Sequence, residues 1–247
     1  MLKKIKADLH IHTCLSPCGD MDMMPAMIVE KARSKGLDVI GICDHNSSEN
    51  VAAVKKAGEK YNLKVLGGME VTSKEEVHIL ALFDENKNLS EFQETVYENL
   101  DGKNDEELFG YQLIVDEQDE IIDLNKKLLI GATNLTVERI VELIHSLNGL
   151  AIASHVDRER FSLIGQLGFV PEGLELDGLE LSPRYMSEKK KLEFPMASGF
   201  PLVTFSDAHL PDDIGKTSTT FLLDDITVIE IKKALKNKDG RSILTYS

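Results

Sequence analysis

Short apolar runs rich in β-branched residues alternate along this chain with segments patterned for amphipathic helix. The run LDVIGIC at 37–43 is unbroken from Val39 to Cys43, as expected of a strand buried on both faces. Similar runs occupy 64–69, 77–83, 150–154, 178–182 and 201–205, and IKADLHIH forms another near the start. Between them, 25–35 has Pro25 near its first helical position and Gly36 just past its end. Residues 137–147 place Val137, Ile140, Val141 and Ile144 on one face, with Thr136 as candidate N-cap and Gly149 after the end. Residues 227–238 repeat that logic with Thr227, Val228, Ile231 and Leu235. The alternation predicts an α/β fold with a mostly parallel sheet, open or closed into a barrel. The 247 residues are read as a single domain, ample for a core.

Residues 84–135 break the rhythm. They hold an acidic helix-like stretch, SEFQETVYENLDGKNDEE, and then YQLIVDEQDEIIDL, a hairpin pattern with DEQDE at its tip. This segment is expected to form an insertion or small lobe beside the barrel, of a kind that often overhangs an active site.

His10 and His12 lie two residues apart on a strand, so both imidazoles point to one side. Taken alone, H-x-H is weak, since chance supplies it often. The pattern recurs, however. LVTFSDAH ends in Asp207 and His209, LDVIGICDHN in Asp44 and His45, LKVLGGME in Glu70 and GLAIAS in His155, while His78 opens the run HILALF. Six of the seven histidines thus fall at or near strand ends, and scattered core histidines would not favour that edge. In parallel α/β folds the carboxyl ends of the strands face the site. Imidazole and carboxylate together suit transition metals. The seventh, His145, falls in the last turn of a helix, where interaction with the helix C-terminus accounts for it.

The charge balance, 28 basic against 42 acidic residues, gives a formal −14. A surface of that sign argues against long nucleic acid, whose binding relies on Lys and Arg at the phosphates. It leaves room for a small phosphorylated substrate if cations reverse the potential in one cleft. The three cysteines, an odd and sparse set, fit a reducing compartment rather than a disulfide framework. With no apolar run long enough to span a bilayer and an N-terminus that enters a strand directly, the expected location is the cytoplasm.

The motifs DLHIHT (8–13), CDHN (43–46), GGME (67–70), VHIL (77–80), SHVDR (154–158) and SDAH (206–209) resemble those of the PHP family, named for its polymerase and histidinol phosphatase members. The resemblance covers nearly the whole chain. It implies a distorted (β/α)7 barrel with two or three divalent transition metals, Zn, Mn or Fe, at its C-terminal face. On the matching positions, His10, His12, Glu70 and Asp207 would hold the first metal. Glu70, bridging, would hold the second with His78 and His155, and His45 and His209 would help hold a third. Asp8 and Asp44 are read as groups that orient neighbouring imidazoles. One departure stands out. Many relatives follow HxHT with a compact xxSDG whose Asp binds the third metal, whereas here CLSPCGD puts Pro17 and Cys18 at that place. Either Cys18 or Asp20 is expected to complete the third site.

The reaction expected from this set is hydrolysis of a phosphate ester by water activated between two metals, on a small phosphorylated metabolite, nucleotide or short oligonucleotide. Arg158, three residues after His155, is the candidate for binding the phosphoryl oxygens, with Arg184 second. His209 or His45 could protonate the leaving oxygen. The alternatives are an exonuclease-like phosphodiesterase, amide hydrolysis and a non-catalytic metal-binding regulatory module. A degenerate module usually loses a ligand, and this chain retains the full first and second sets.

Overall fold

Each central strand divides its residues between two apolar layers, which is why its sequence reads as an unbroken apolar run. In a computed structural model that describes residues 1–188 and 199–246, the elements run as follows. β1 is Lys3–Ile11, α1 Pro25–Ser34, β2 Val39–Ile42, α2 Val51–Lys60, β3 Lys64–Thr72 and β4 His78–Phe83. Then come α3 Asn86–Glu98, α4 Glu106–Phe109, β5 Leu113–Val115, β6 Ile121–Leu124, α5 Val137–Ser146, β7 Leu150–Ala153 and α6 Leu163–Leu167. The chain continues with β8 Gly178–Leu181, α7 Pro183–Glu188, β9 Leu202–Thr204, β10 Thr219–Leu223, α8 Val228–Leu235 and β11 Ser242–Tyr246.

Nine strands form one sheet in the order β11, β10, β1, β2, β3, β4, β7, β8, β9, while β5 and β6 pair separately. The sheet curls into a nearly closed barrel. Beyond β9, Ala208 bridges back to Ile11, with His12 N donating to Ala208 O at 3.0 Å. Ile79, Ala81 and Phe83 of β4 join the outer apolar layer with Val54, Phe92 and Ile140 from the helices. Leu80 and Leu82 join an inner layer with Leu9, Leu66, Ile152, Phe205 and Phe221, to which α8 adds Val228 and Ile231. The caps of α5 and α8 are those the sequence suggests: Thr136 accepts from Arg139 N and Thr227 from Glu230 N.

The expectation of a mostly parallel sheet needs correction. The pairs β1–β2, β2–β3, β7–β8 and β8–β9 are parallel, but β4 runs antiparallel to both β3 and β7, and β10 to both β1 and β11. The link from β3 to β4 is a tight turn, too short for the crossover a parallel neighbour requires. Residues 84–135 begin with α3, which lays Leu89, Phe92 and Val96 into the outer core as one of the barrel's covering helices. The hairpin of β5 and β6 follows, and its Leu113 and Val115 rest on Cys14. Among the described residues, no helix is long and apolar enough to cross a membrane.

Candidate metal centre

A slip in the β1–β2 pairing builds the first part of the site. The register shifts between Asp8 and Ile11, so Leu9 belongs to the inner layer while Ile11 joins the outer one. Such a bulge re-aims the residues beyond it, and His10 and His12 both turn to the mouth of the barrel. Antiparallel β4 supplies His78 from its first residue, because its N-terminal end lies beside the C-terminal ends of its neighbours. Gly68 permits the floor beneath Glu70, since a Cβ there would stand 2.8 Å from Cys43 Sγ and 2.9 Å from Leu82 Cδ2.

Glu70 is the hub. Its Oε1 lies 3.4 Å from His10 Nε2, 3.1 Å from His78 Nδ1 and 3.3 Å from His155 Nε2. Its Oε2 lies 3.5 Å from His12 Nε2 and 3.2 Å from His45 Nδ1. Asp207 Oδ1 stands 3.3 Å from His10 Nε2 and 3.2 Å from His12 Nε2. Its Oδ2 pairs with Arg158 Nη2 at 2.7 Å. All these groups are buried except Arg158, which is half-exposed.

Hydrogen bonding behind the rings fixes where their protons sit. His10 Nδ1 faces both carboxylate oxygens of Glu180, at 3.1 and 3.0 Å, and so donates. Ser16 Oγ donates its hydrogen to Asp44 at 2.6 Å, so the 3.0 Å contact with His12 Nδ1 has the ring donating. His209 Nδ1 donates to the Asp207 carbonyl at 2.8 Å. In each ring Nε2 is the nitrogen turned to the site, the arrangement metal-binding histidines require.

Burial, reinforced by nearby His209, pushes His12 down to about 4, and burial holds His45 well below the usual histidine range; both are neutral donors. Burial would push His10 down as well, but Glu180, Asp207 and Glu70 outweigh it and hold the ring well above its ordinary range. Burial would raise Glu70 and Asp207, yet the surrounding histidines keep both well below the usual carboxylate range, hence ionised.

This donor set fits metal ions. Among the described residues, three groups have ligand atoms within 4.8 Å of one another: His10, His12, Glu70 and Asp207; His45, Glu70 and His78; and His12, His45 and His209. His12, His45 and Glu70 each belong to two groups, so the three are contiguous. Glu70 Oε1, His45 Nδ1 and His78 Nδ1 are buried without a hydrogen-bond partner, a costly state that a cation relieves. His155 and Asp207 also sit at φ +30° and +48°, in the left-handed region that non-glycine residues enter mainly where function holds them.

Several candidates stand elsewhere. Neither Cys18 nor Asp20 joins a ligand group: Cys18 is exposed, and Asp20 Oδ1 accepts from Asp22 N at 2.8 Å. CLSPCGD instead supports the site through its backbone, with Asp20 N donating to His209 O at 2.8 Å. His155 lies beside the second group, against Glu70, rather than within it. Asp8 orients backbone rather than a ring: its oxygens accept from Ser206 N and Gly215 N, both at 2.9 Å, fixing the segment that carries Asp207 and His209. Asp44 reaches His12 only through Ser16. Arg184 is exposed on α7. His145 lies outside the cluster, paired with Asp177 at 2.9 Å.

Sequence reasoning missed Glu180. Its signal was a lone carboxylate in the apolar strand GLEL, on the face opposite Leu179 and Leu181. A buried charge in a strand so short requires partners, and here they are His10 Nδ1 and His155 N.

Residues 8–162 match the PHP domain. Over 80 residues, 30% of this chain, the sequence is 29% identical to a phosphoribosyl 1,2-cyclic phosphate 1,2-diphosphodiesterase from Eggerthella lenta, covering 29% of that protein. The fold is similar to the lesion-specific endonuclease PfuEndoQ from Pyrococcus furiosus, with TM-score 0.68 and 25% identity over 99% of this chain and 58% of that one. Endonuclease Q in complex with a 27-mer duplex substrate, with an abasic lesion at the active site, gives TM-score 0.68 and 24% identity over 99% of this chain and 59% of that one. The chain therefore spans under two thirds of the length of these relatives. The likeness overturns the expectation, drawn from net charge, that long nucleic acid is an unlikely partner. Net charge sums the whole surface, whereas recognition is decided in one cleft whose sign cations can reverse.

Proposed function

The chain belongs to the PHP domain family, and on that premise we propose that it is a metal-dependent phosphoesterase whose substrates are phosphate esters and diesters, nucleic acid included. The observation that carries the reading is the sharing of Glu70, His12 and His45 among three ligand groups. His10, His12, Glu70 and Asp207 would hold one metal, and Glu70 with His45 and His78 would hold a second, with His155 alongside. His12, His45 and His209 form a third position built of imidazole alone. Imidazole and carboxylate without thiolate suit Zn, Mn or Fe. When bound, such metals supply Lewis-acid polarisation of a phosphoryl oxygen and lower the pKa of water toward neutrality.

The protein's own residues do the rest. Glu180 and the Ser16–Asp44 pair hold His10 and His12 in the tautomer that presents Nε2. Arg158, anchored by Asp207 at the edge of the cluster, offers its remaining guanidinium donors to phosphoryl oxygens. His209, about a quarter exposed, is the ring best placed to meet a leaving oxygen. The PfuEndoQ likeness supports a diester as substrate, and the diphosphodiesterase relative supports phosphodiester cleavage in general. All 247 residues are taken as one catalytic domain, with the 84–135 segment beside the site.

The test is hydrolysis of bis-p-nitrophenyl phosphate by the Mn-loaded protein. Turnover abolished by His12→Ala is expected, and turnover unaffected by that change places the activity elsewhere. Arg158→Ala should retain metal and lose roughly 10²–10³ in rate, as when one charged transition-state contact is removed. Unchanged kinetics would leave Arg158 a partner of Asp207 alone.

A further inference from the structure

Phe161 is a bulky residue at φ +57°, a conformation that L side chains rarely adopt. Its neighbours hold it there. The Phe161 carbonyl accepts from His78 N at 2.9 Å. Ser162 donates to Arg158 O at 2.6 Å and accepts from Gly165 N at 2.9 Å, starting α6. Closer to His155, Asp157 accepts from Ser182 N at 2.7 Å and from Ser182 Oγ at 2.6 Å. The loop is thus pinned on both sides of its two arginines.

The pinned backbone lays the phenyl ring over His78, with centroids 4.8 Å apart and planes 20° off parallel. A phenylalanine held so firmly is ordinarily core, yet this one is 41% exposed. One face rests on an imidazole of the metal cluster and the rest of the ring meets solvent. Arg158 and Arg160, both exposed, belong to the same loop, on a chain of formal charge −14. An open ring, the Arg158 guanidinium at the cluster's edge and a cation-binding cluster in one place, with exposed Arg160 two residues on, match a ligand that is flat and apolar at one end and anionic at the other. That is a base joined to its phosphate. Backbone strain kept at such a point is characteristic of a binding position.

We infer that Phe161 is a stacking platform for a nucleobase of a nucleic-acid strand whose phosphate lies at the cluster, with Arg158 and Arg160 beside the strand's phosphates; this rests on the phosphoesterase reading above. Base–aromatic stacking tolerates any base, so the platform predicts affinity without sequence preference.

The experiment compares Kd values of the Mn-loaded protein for two labelled, phosphorothioate-linked strands of equal length, one of thymidines and one of abasic sugars. The wild type should prefer the base-bearing strand by about five- to a hundred-fold, the range of one stacked base. Phe161→Ala should bring the two constants together, Phe161→Trp should keep them apart, and both variants should retain the wild-type Mn content. A wild type that does not discriminate, or a preference that survives Phe161→Ala, overturns the inference. So does a preference lost together with Mn, since Phe161 would then merely support His78. The phosphoesterase reading fails separately, on the absence of Mn-dependent turnover of bis-p-nitrophenyl phosphate.

Discussion

Glu180 and Glu70 are both buried carboxylates, but they face opposite ways. Glu180 stands behind His10 and fixes its tautomer; Glu70 stands among the rings that would surround metal. Glu180→Gln should therefore weaken metal affinity about 10- to 100-fold without removing a ligand, the cost usual for an outer partner of a ligating histidine. Competition against a chelator measures it, and an affinity equal to wild type would show that His10 needs no orienting carboxylate. Glu70→Gln should strip metal from two groups at once, whereas His78→Ala should affect one. Stoichiometry by elemental analysis distinguishes them, and equal losses in both variants would speak against a shared carboxylate. At this scale the sequence was legible wherever chemistry and position coincide: His10, His12, His45, His78, His155 and His209 stand out because imidazoles gathered at strand ends are conspicuous. Glu180 and Ser16 were hidden because the first sits mid-strand and the second is an ordinary hydroxyl in a turn, and only tertiary contact gives either a role.

The central strands and helices α1, α5 and α8 were readable from periodicity, whereas α2, β10 and β11 were not, nor were strand directions. An apolar run such as HILALF signals burial on both faces whether the strand runs up or down. The reversal of β4 follows from the tight turn after Thr72, and the shift in β1 from pairing with β2. Neither event leaves a periodic trace, yet both aim ligands. Helix α8 shows an element whose anchoring can be titrated. Glu230 accepts from Arg241 Nε at 2.8 Å, Asp224 N at 3.0 Å and Lys233 Nζ at 3.1 Å, and the Arg241 contact foremost holds its carboxyl down to about 2. A carboxylate with a depressed folded pKa contributes stability that is fully present above its unfolded value, about 4.3, and is lost as pH falls through the folded one. The Tm advantage of wild type over Glu230→Gln should thus be constant near neutrality and narrow as pH falls from about 5 toward 3. An advantage independent of pH over that range would mean that the Glu230 contacts do not depend on its charge.

For the molecule as a whole, the sum of charges misled where its distribution did not. A formal −14 sums every charge of the chain, while the site gathers two ionised carboxylates among five imidazoles, with His155 alongside, a donor set suited to cations. Anionic ligands should consequently bind only to the metal-loaded protein. A phosphorothioate-linked strand held in the presence of Mn should be released by chelator, and retention after complete Mn removal would locate its binding on the loop of Arg158, Arg160 and Phe161 alone. The α/β alternation and the gathering of ligands at one mouth follow from pattern and position, closure into a barrel was implied by the family resemblance, and the proposed substrate class rests on the solved relatives. The central claim is that this mouth is a polynuclear metal centre, and the most direct measurement is elemental analysis of protein purified without chelator. At least two equivalents of Zn, Mn or Fe per chain, falling in His12→Ala, is the predicted result; less than one equivalent, with no uptake of added Mn or Zn, would contradict it.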